Sequence, residues 1–370
     1  MAYFSESTEF VRSHKMDEKM VMIQLAGGLG NQMFQYALYL QLKALGREVK
    51  MDDVSGFAQD PQRLPALAPF GVTYERPSKE ELIKMLDSSM LPWSRVRRKL
   101  FGRHKKSYFE GSKLFIPEVL SWDDIYLEGY WQTEKYFQAV ETQVREAYDT
   151  DKLIAYLEQT GCLSCDGSGN AEREKSGRGG SGREKKSAEQ YLKEINNECS
   201  VSIHVRRGDY LTPGNQKLYG GICTDAYYIE GMRQMRERYP GCRFYLFTND
   251  REWARRQLAG NGSKDAGRDA AEKGRSGCAE MTECASGMFF TQDITWIDLS
   301  GAADNDYTEF LLMSRCKHHI LANSSFSWWA SYLNKNPEKT VLAPERWLNG
   351  VDNRDFYRAD MCKVMPSKEP

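Results

Sequence analysis

The chain has 370 residues, 41% hydrophobic and 28% charged, with Lys+Arg 51 against Asp+Glu 52 and a formal net charge of −1. This length and apolar content support two cores, and the near-neutral balance excludes a dedicated nucleic-acid binder, which needs a basic field. No stretch reaches the roughly 18 apolar residues of a membrane span and the first 19 residues lack the apolar core of a secretory signal, so the expectation is a cytoplasmic protein.

In chain order, residues 1–19 read as a flexible polar tail. A buried strand is expected over Val21–Leu25, then glycines, then a helix whose Met33, Phe34, Ala37, Leu38, Leu42 and Leu45 share one face before Gly46 ends it. Strands follow at Glu48–Met51 and Ile125–Trp131. Between them, Arg95–Lys106 is a basic run among apolar anchors. It reads as a solvated helix face, with peripheral membrane attachment as its functional alternative. Segments 164–190 and 259–287 contain no aromatic residue and no Val, Ile or Leu, so they read as solvent-exposed insertions that cannot offset their chain entropy. The C-x-x-C pair Cys162 and Cys165 has no second Cys or His pair for zinc, and the nine scattered cysteines read as free thiols. Beyond the first insertion the elements are strand Ser200–Val205, helix Thr224–Tyr239, strands Phe244–Thr248 and Ile294–Ile297, helix Asp306–Cys316, strand His318–Ala322, a helix from Ser324 and strand Thr340–Ala343. This alternation predicts an α/β protein with two parallel sheets, that is, two Rossmann-like domains facing a cleft, at 20–195 and 196–350.

Ligands of such folds sit beyond the C-terminal strand ends, where three motifs lie. In Gly27-Gly28-Leu29-Gly30-Asn31, glycines let backbone N–H groups approach an anion, and Asn31 adds a donor or a cap. A dinucleotide reading would use Gly28, Gly30 and the acid Asp52, but Met33 occupies the third glycine position. In Ser202–Tyr210, strand alternation turns His204 and Arg206 to the cleft, with Arg206 suited to a phosphate, and sends Arg207 the other way to pair with Asp209. In Asn323–Trp329, Ser324 and Ser325 with the helix N–H groups make an anion site, Ser324 doubles as N-cap, and Trp328 and Trp329 pack in the core. Asp306–Glu309 resembles a capping box, and Glu309 alternatively faces the cleft to accept hydrogen bonds from a purine N–H edge.

Together GGLGNQMFQYA at Gly27–Ala37, HVRRGDY at His204–Tyr210, FTND at Phe247–Asp250 and the run from Phe310 to Leu333 resemble glycosyltransferase family 11, the α-1,2-fucosyltransferases, in their bacterial form. The resemblance spans about Met20 to Leu348. It implies a GT-B-like fold and inverting transfer of L-fucose from GDP-β-L-fucose to the 2-hydroxyl of a terminal galactose, with no metal or other cofactor. The acceptor would be a β-galactoside, either an oligosaccharide or a lipid-linked glycan, with 196–350 as the donor domain and 20–195 on the acceptor side. Arg206 would bind the pyrophosphate with His204 close by, and Asp209 is a candidate base. Gly28, Gly30, Asn31, Glu309, Ser324, Ser325 and Phe326 complete the expected donor site. Two other readings stay open: a metal-dependent transferase using Asp304 and Asp306, and a non-catalytic nucleotide-binding protein.

Overall fold

The computed structural model describes residues 19–58, 60–102, 106–164, 186–258, 293–299 and 305–365. The insertion expected at 259–287 and residues 165–185 of the other lie outside them, as does Cys165. In chain order the elements are β1 (Met20–Gln24), α1 (Leu29–Ala44), β2 (Glu48–Asp52), α2 (Lys79–Leu86), α3 (Pro92–Phe101), β3 (Ser107–Phe109), β4 (Ile125–Glu128), α4 (Glu141–Ala147), α5 (Thr150–Gln159) and α6 (Ala188–Asn197). They continue as β5 (Ser200–Val205), α7 (Pro213–Tyr219), α8 (Asp225–Arg238), β6 (Arg243–Thr248), α9 (Arg251–Leu258), β7 (Ile294–Trp296), α10 (Asn305–Arg315), β8 (His318–Ile320), α11 (Ser325–Leu333), β9 (Val341–Pro344) and β10 (Met361–Val364).

The strands form two parallel sheets, ordered β2-β1-β4-β3 and β10-β9-β8-β5-β6-β7. Because helices cover both faces, the central strands are continuous apolar runs: every residue of β5 is buried, and only Gln24 of β1 is partly exposed. The connections diverge between β1 and β4 in the first sheet and between β5 and β8 in the second. At such switch points the loops leave toward opposite faces and open a crevice at the C-terminal strand ends. The architecture is the expected one, α/β and GT-B-like, two Rossmann-like sheets about a cleft.

One continuous apolar core joins the two sheets. At its centre the Phe34 ring on α1 lies 4.6 Å from Trp328 and 4.9 Å from Trp329 on α11, and Phe137 stacks on Trp329 at 5.5 Å. All four are buried, and tilted or stacked aromatic pairs at these distances add to the burial of their large surfaces. The helices meet so closely at their N-termini that a Cβ on Gly30 would sit 2.6 Å from the Ser325 carbonyl carbon and 2.7 Å from the Phe326 nitrogen.

The strand expected over Ile125–Trp131 ends at Glu128, and two further boundaries change. The helix α6 begins at Ala188, inside the segment read as an insertion to 190, with Ser187 and Gln190 in a reciprocal capping box at 3.3 and 2.8 Å. Cap residues are polar because of their task, so composition does not separate them from a linker. The second sheet also continues past 350, since β10 pairs with β9. Both β3 and β10 are short edge strands whose half-exposed sequences lack the apolar run that marked the central ones.

Replacing Gly30 by Ala should destabilise the chain by about 1–3 kcal/mol through overpacking against backbone that cannot yield. Urea unfolding measures this, and a variant as stable as wild type would show that α1 and α11 do not approach so closely.

Candidate functional site

A cleft of about 480 Å³ opens at the C-terminal ends of both sheets. All the site residues expected from the sequence line it: Gly28, Gly30 and Asn31 from the first sheet's side, and His204, Arg206, Asp209, Glu309, Ser324, Ser325 and Phe326 from the second's. The volume lies within the range of small-molecule sites.

On the first side, α1 starts at Leu29 with Gly28 as N-cap, no side-chain cap bond and no acidic residue in its first turn. Among the described residues its initial N–H groups therefore meet no side-chain acceptor, and the helix dipole adds partial positive charge at the cleft wall. Asn31 is not the cap. Its Oδ1 accepts hydrogen bonds from Gln132 Nε2 and from Ser325 Oγ, both at 2.7 Å. Those two donors fix the amide orientation and keep Nδ2 as the group that can donate to a ligand. Asp52 does not serve a dinucleotide ribose: it is buried, accepts from the Val54 and Ser55 N–H groups at 3.0 and 3.1 Å, and takes the Tyr126 hydroxyl at 2.7 Å.

On the second side the arginine pairing is the reverse of the expected one. Arg206 donates from Nε and Nη2 to the two oxygens of Asp209 at 2.9 and 3.0 Å, whereas Arg207 Nε donates to Asp250 at 3.2 Å. Strand alternation stops at Val205, and a 3-10 turn at Gly208–Leu211 returns the Asp209 side chain over Arg206, three residues earlier. The Asp209 fork uses one edge of the guanidinium and leaves Nη1 with no partner among the described residues. The Asp209 pair raises the Arg206 pKa, against the opposing effect of burial, so the positive charge is permanent. The FTND segment braces this turn: Asn249 Oδ1 accepts the Arg207 N–H at 2.9 Å, and the Arg207 guanidinium stacks 4.3 Å from the Trp253 ring. A Cβ on Gly208 would meet Asn249 Nδ2 at 2.6 Å, so a larger residue there would push the Asn249 side chain away from its bond to Arg207.

His204 is buried, with its ring 5.7 Å from Phe326 and its Nδ1 unpartnered among the described residues. Burial, reinforced by the Arg206 charge, lowers its pKa to about 3, so the imidazole is neutral and serves as a hydrogen-bonding wall rather than a cation. At the α11 start, Ser324 Oγ accepts the Phe326 N–H at 3.3 Å as a true N-cap, while Ser325 is committed to Asn31. Glu309 lies within α10, which begins at Asn305 rather than at the expected Asp306 cap. Burial first, then the neighbouring Asp306 carboxylate, raise its pKa to about 7.

The sequence reading gave no role to Asp60, Arg63, Tyr130, Gln132 or Asn249, all of which line the cleft. Gln132 and Asn249 each follow a strand closely, a positional signal that was available. Asp60 and Arg63 sit in a long loop after β2 that carries no motif. Asp304 of the metal alternative lies outside the described residues, and among those described no group of three or more His, Cys, Asp or Glu is placed to hold a metal.

Residues 185–289 and 278–359 match the sequence model of Glycosyl transferase family 11. Over 91% of its length, and 95% of the relative's, the chain is 24% identical to the alpha-1,2-colitosyltransferase of Escherichia coli. The chain is thus similar to glycosyltransferase family 11, with the family model covering residues 185–359. It is also 25% identical to the O-antigen biosynthesis glycosyltransferase WbnK of Escherichia coli, over 88% of this chain and 94% of that one. With the galactoside alpha-(1,2)-fucosyltransferase 1 of Saimiri boliviensis boliviensis it shares 28% identity over 36% of this chain and 28% of that protein. Among solved structures, FUT1 of Arabidopsis thaliana in complex with GDP is 12% identical with a TM-score of 0.43, covering 90% of this chain and 71% of that one. At that similarity the fold of this chain rests on its own topology. No helix among its described residues is long and apolar enough to cross a membrane.

The His204 imidazole of this glycosyltransferase should show no titration between pH 5 and 8 in two-dimensional NMR. A midpoint near 6.5 would mean that it is hydrated and unconfined.

Proposed function

We propose that this glycosyltransferase moves L-fucose from GDP-β-L-fucose to the 2-hydroxyl of a terminal galactose in a β-galactoside, with inversion. The observation that carries the donor side is the convergence of Arg206 Nη1, the bare start of α1 and the start of α11 on one cleft. The match of residues 185–359 to the family 11 model and the 28% match to a galactoside alpha-(1,2)-fucosyltransferase support the sugar and the linkage.

In this reaction O2 of galactose attacks C1 of fucose from the face opposite the diphosphate. The C1–O bond breaks with its electron pair on GDP as the O2–C1 bond forms, and the O2 proton passes to solvent water. Negative charge grows on the leaving diphosphate, so groups fixed beforehand around it lower the barrier most. Asp209 holds the Arg206 fork for that purpose, with Nη1 and the Asn31 amide as the remaining donors. The same ion pair makes Asp209 a poor base, which favours a loose transition state with little base assistance. Glu309 would accept the purine N–H edge. The charges in this reading come from the protein, so it needs no divalent cation.

The match to a colitosyltransferase over 91% of the chain favours a second reading, a colitose donor in place of fucose on the same site. Competition between the two nucleotide sugars for one galactoside, with EDTA present and product linkage determined by NMR, separates them. α-1,2-Fucosyl product as the main outcome supports the proposal, and transfer of colitose alone or loss of turnover in EDTA refutes it. Exchanging Arg206 for Lys should remove most activity, by about 100-fold or more, because an ammonium cannot hold Asp209 and a phosphate in one plane. Circular dichroism should stay unchanged, and near wild-type turnover would sink the role.

Nucleotide affinity should depend on pH through Glu309. Its raised pKa leaves the free protein protonated there below about pH 7, whereas accepting two N–H bonds requires the carboxylate. GDP should therefore bind more tightly at pH 8 than at pH 6 by calorimetry, and E309Q should flatten the dependence. An equally steep profile in E309Q would assign it to another group.

A further inference from the structure

Among the described side chains of α3 none is buried, although half of the helix is apolar. Trp93 is 85% exposed, Leu100 69% and Phe101 72%, with Val96, Met90 and Leu91 exposed beside them. Trp93, Val96 and Leu100 recur at helical spacing and therefore form one stripe. The edge strand that follows, β3, leaves Phe109 exposed as well. Water is a poor environment for so many large side chains clustered along a short segment, and such a patch marks an interaction surface.

Its charge identifies the partner. From 88 to 109 the chain has seven Lys or Arg and no Asp or Glu, within a protein whose net charge is −1. Arg97 is taken by Asp87, and Lys106 by Asp124. Arg95 and Lys99 are exposed, have no ion-pair partner among the described residues and lie on the side of α3 away from the apolar stripe. A short helix with an apolar stripe and a cationic opposite side is the pattern that lies flat at a lipid interface, with the rings among the acyl chains and the cations at anionic headgroups. A second copy of the same helix would bring like charges together. A nucleic acid would find its stacking rings flanked by the aliphatic side chains of Val96 and Leu100, which offer its phosphates nothing.

We infer that α3 is a peripheral membrane anchor that docks this enzyme on an anionic lipid bilayer. The inference is independent of which sugar is transferred. The anchor lies on α3 and the edge of the first sheet, and none of its residues lines the catalytic cleft.

The test is co-sedimentation of the full chain with vesicles of phosphatidylcholine alone and of phosphatidylcholine with 30% phosphatidylglycerol. Binding to the anionic vesicles should exceed binding to the neutral ones by at least about tenfold and weaken with salt. The triple variant W93S/L100S/F101S should lose binding to both while keeping the wild-type circular dichroism and GDP affinity. The variant R95E/K99E should lose the anionic preference by about tenfold or more. Failure of wild type to sediment with either vesicle overturns the anchor, as does equal sedimentation of wild type and the triple variant. A wild-type dimer that the triple variant converts to monomer, with no lipid binding, would reassign the face to self-association.

Discussion

The close approach of two helix N-termini governs this molecule. Gly30 at the start of α1 lies against the Ser325 and Phe326 backbone at the start of α11, with no room for a single methyl group between them. Behind that contact Phe34, Phe137, Trp328 and Trp329 fill the joint between the sheets, so the contact is held by a large buried aromatic surface. In front of it the two helix dipoles point at the same space, and Asn31 bridges to Ser325 across the seam. Packing and electrostatics are thus two consequences of one contact: the cluster that joins the sheets also aims both helices at the cleft.

The arginine turn shows how the cleft keeps a charge ready. A half-buried guanidinium is stable when a carboxylate holds part of it, and useful when part remains available. Asp209 and Arg206 meet both conditions, while Arg207 leaves toward Asp250 and fastens the turn to β6 from behind. The neutral His204 beside them adds no competing positive charge. Glu309 is kept near its titration point by the same low-dielectric surroundings that strengthen the interactions of Arg206.

Much of the fold was legible because buried parallel strands are apolar at nearly every position and carry their own signal. Ser200–Val205 was read with the boundaries observed. Edge strands β3 and β10 lack that signal, since one side of each faces solvent. The start of α6 was read as linker because Ser187, Glu189 and Gln190 have the composition of a loop. Most candidate site residues were legible for another reason: apart from Glu309, which lies on α10, they follow strand ends, and parallel sheets place those ends together. Asp60 and Arg63 come from a loop with no periodicity and join the site only through the chain's return to the cleft.

The amino-acid sequence by itself determined the two-sheet α/β architecture, the similarity to glycosyltransferase family 11 and which strand ends line the cleft. Local periodicity and backbone sterics act over a few residues, and those features are written at that range. The tertiary structure decided the partners: Arg206 with Asp209, Arg207 with Asp250, Asn31 with Gln132 and Ser325, and Asp52 withdrawn into a buried bond with Tyr126. A strand's alternation predicts which face a side chain takes only while the strand lasts. Beyond Val205 the turn at Gly208, braced by a residue 41 positions later, sets which carboxylate each arginine meets.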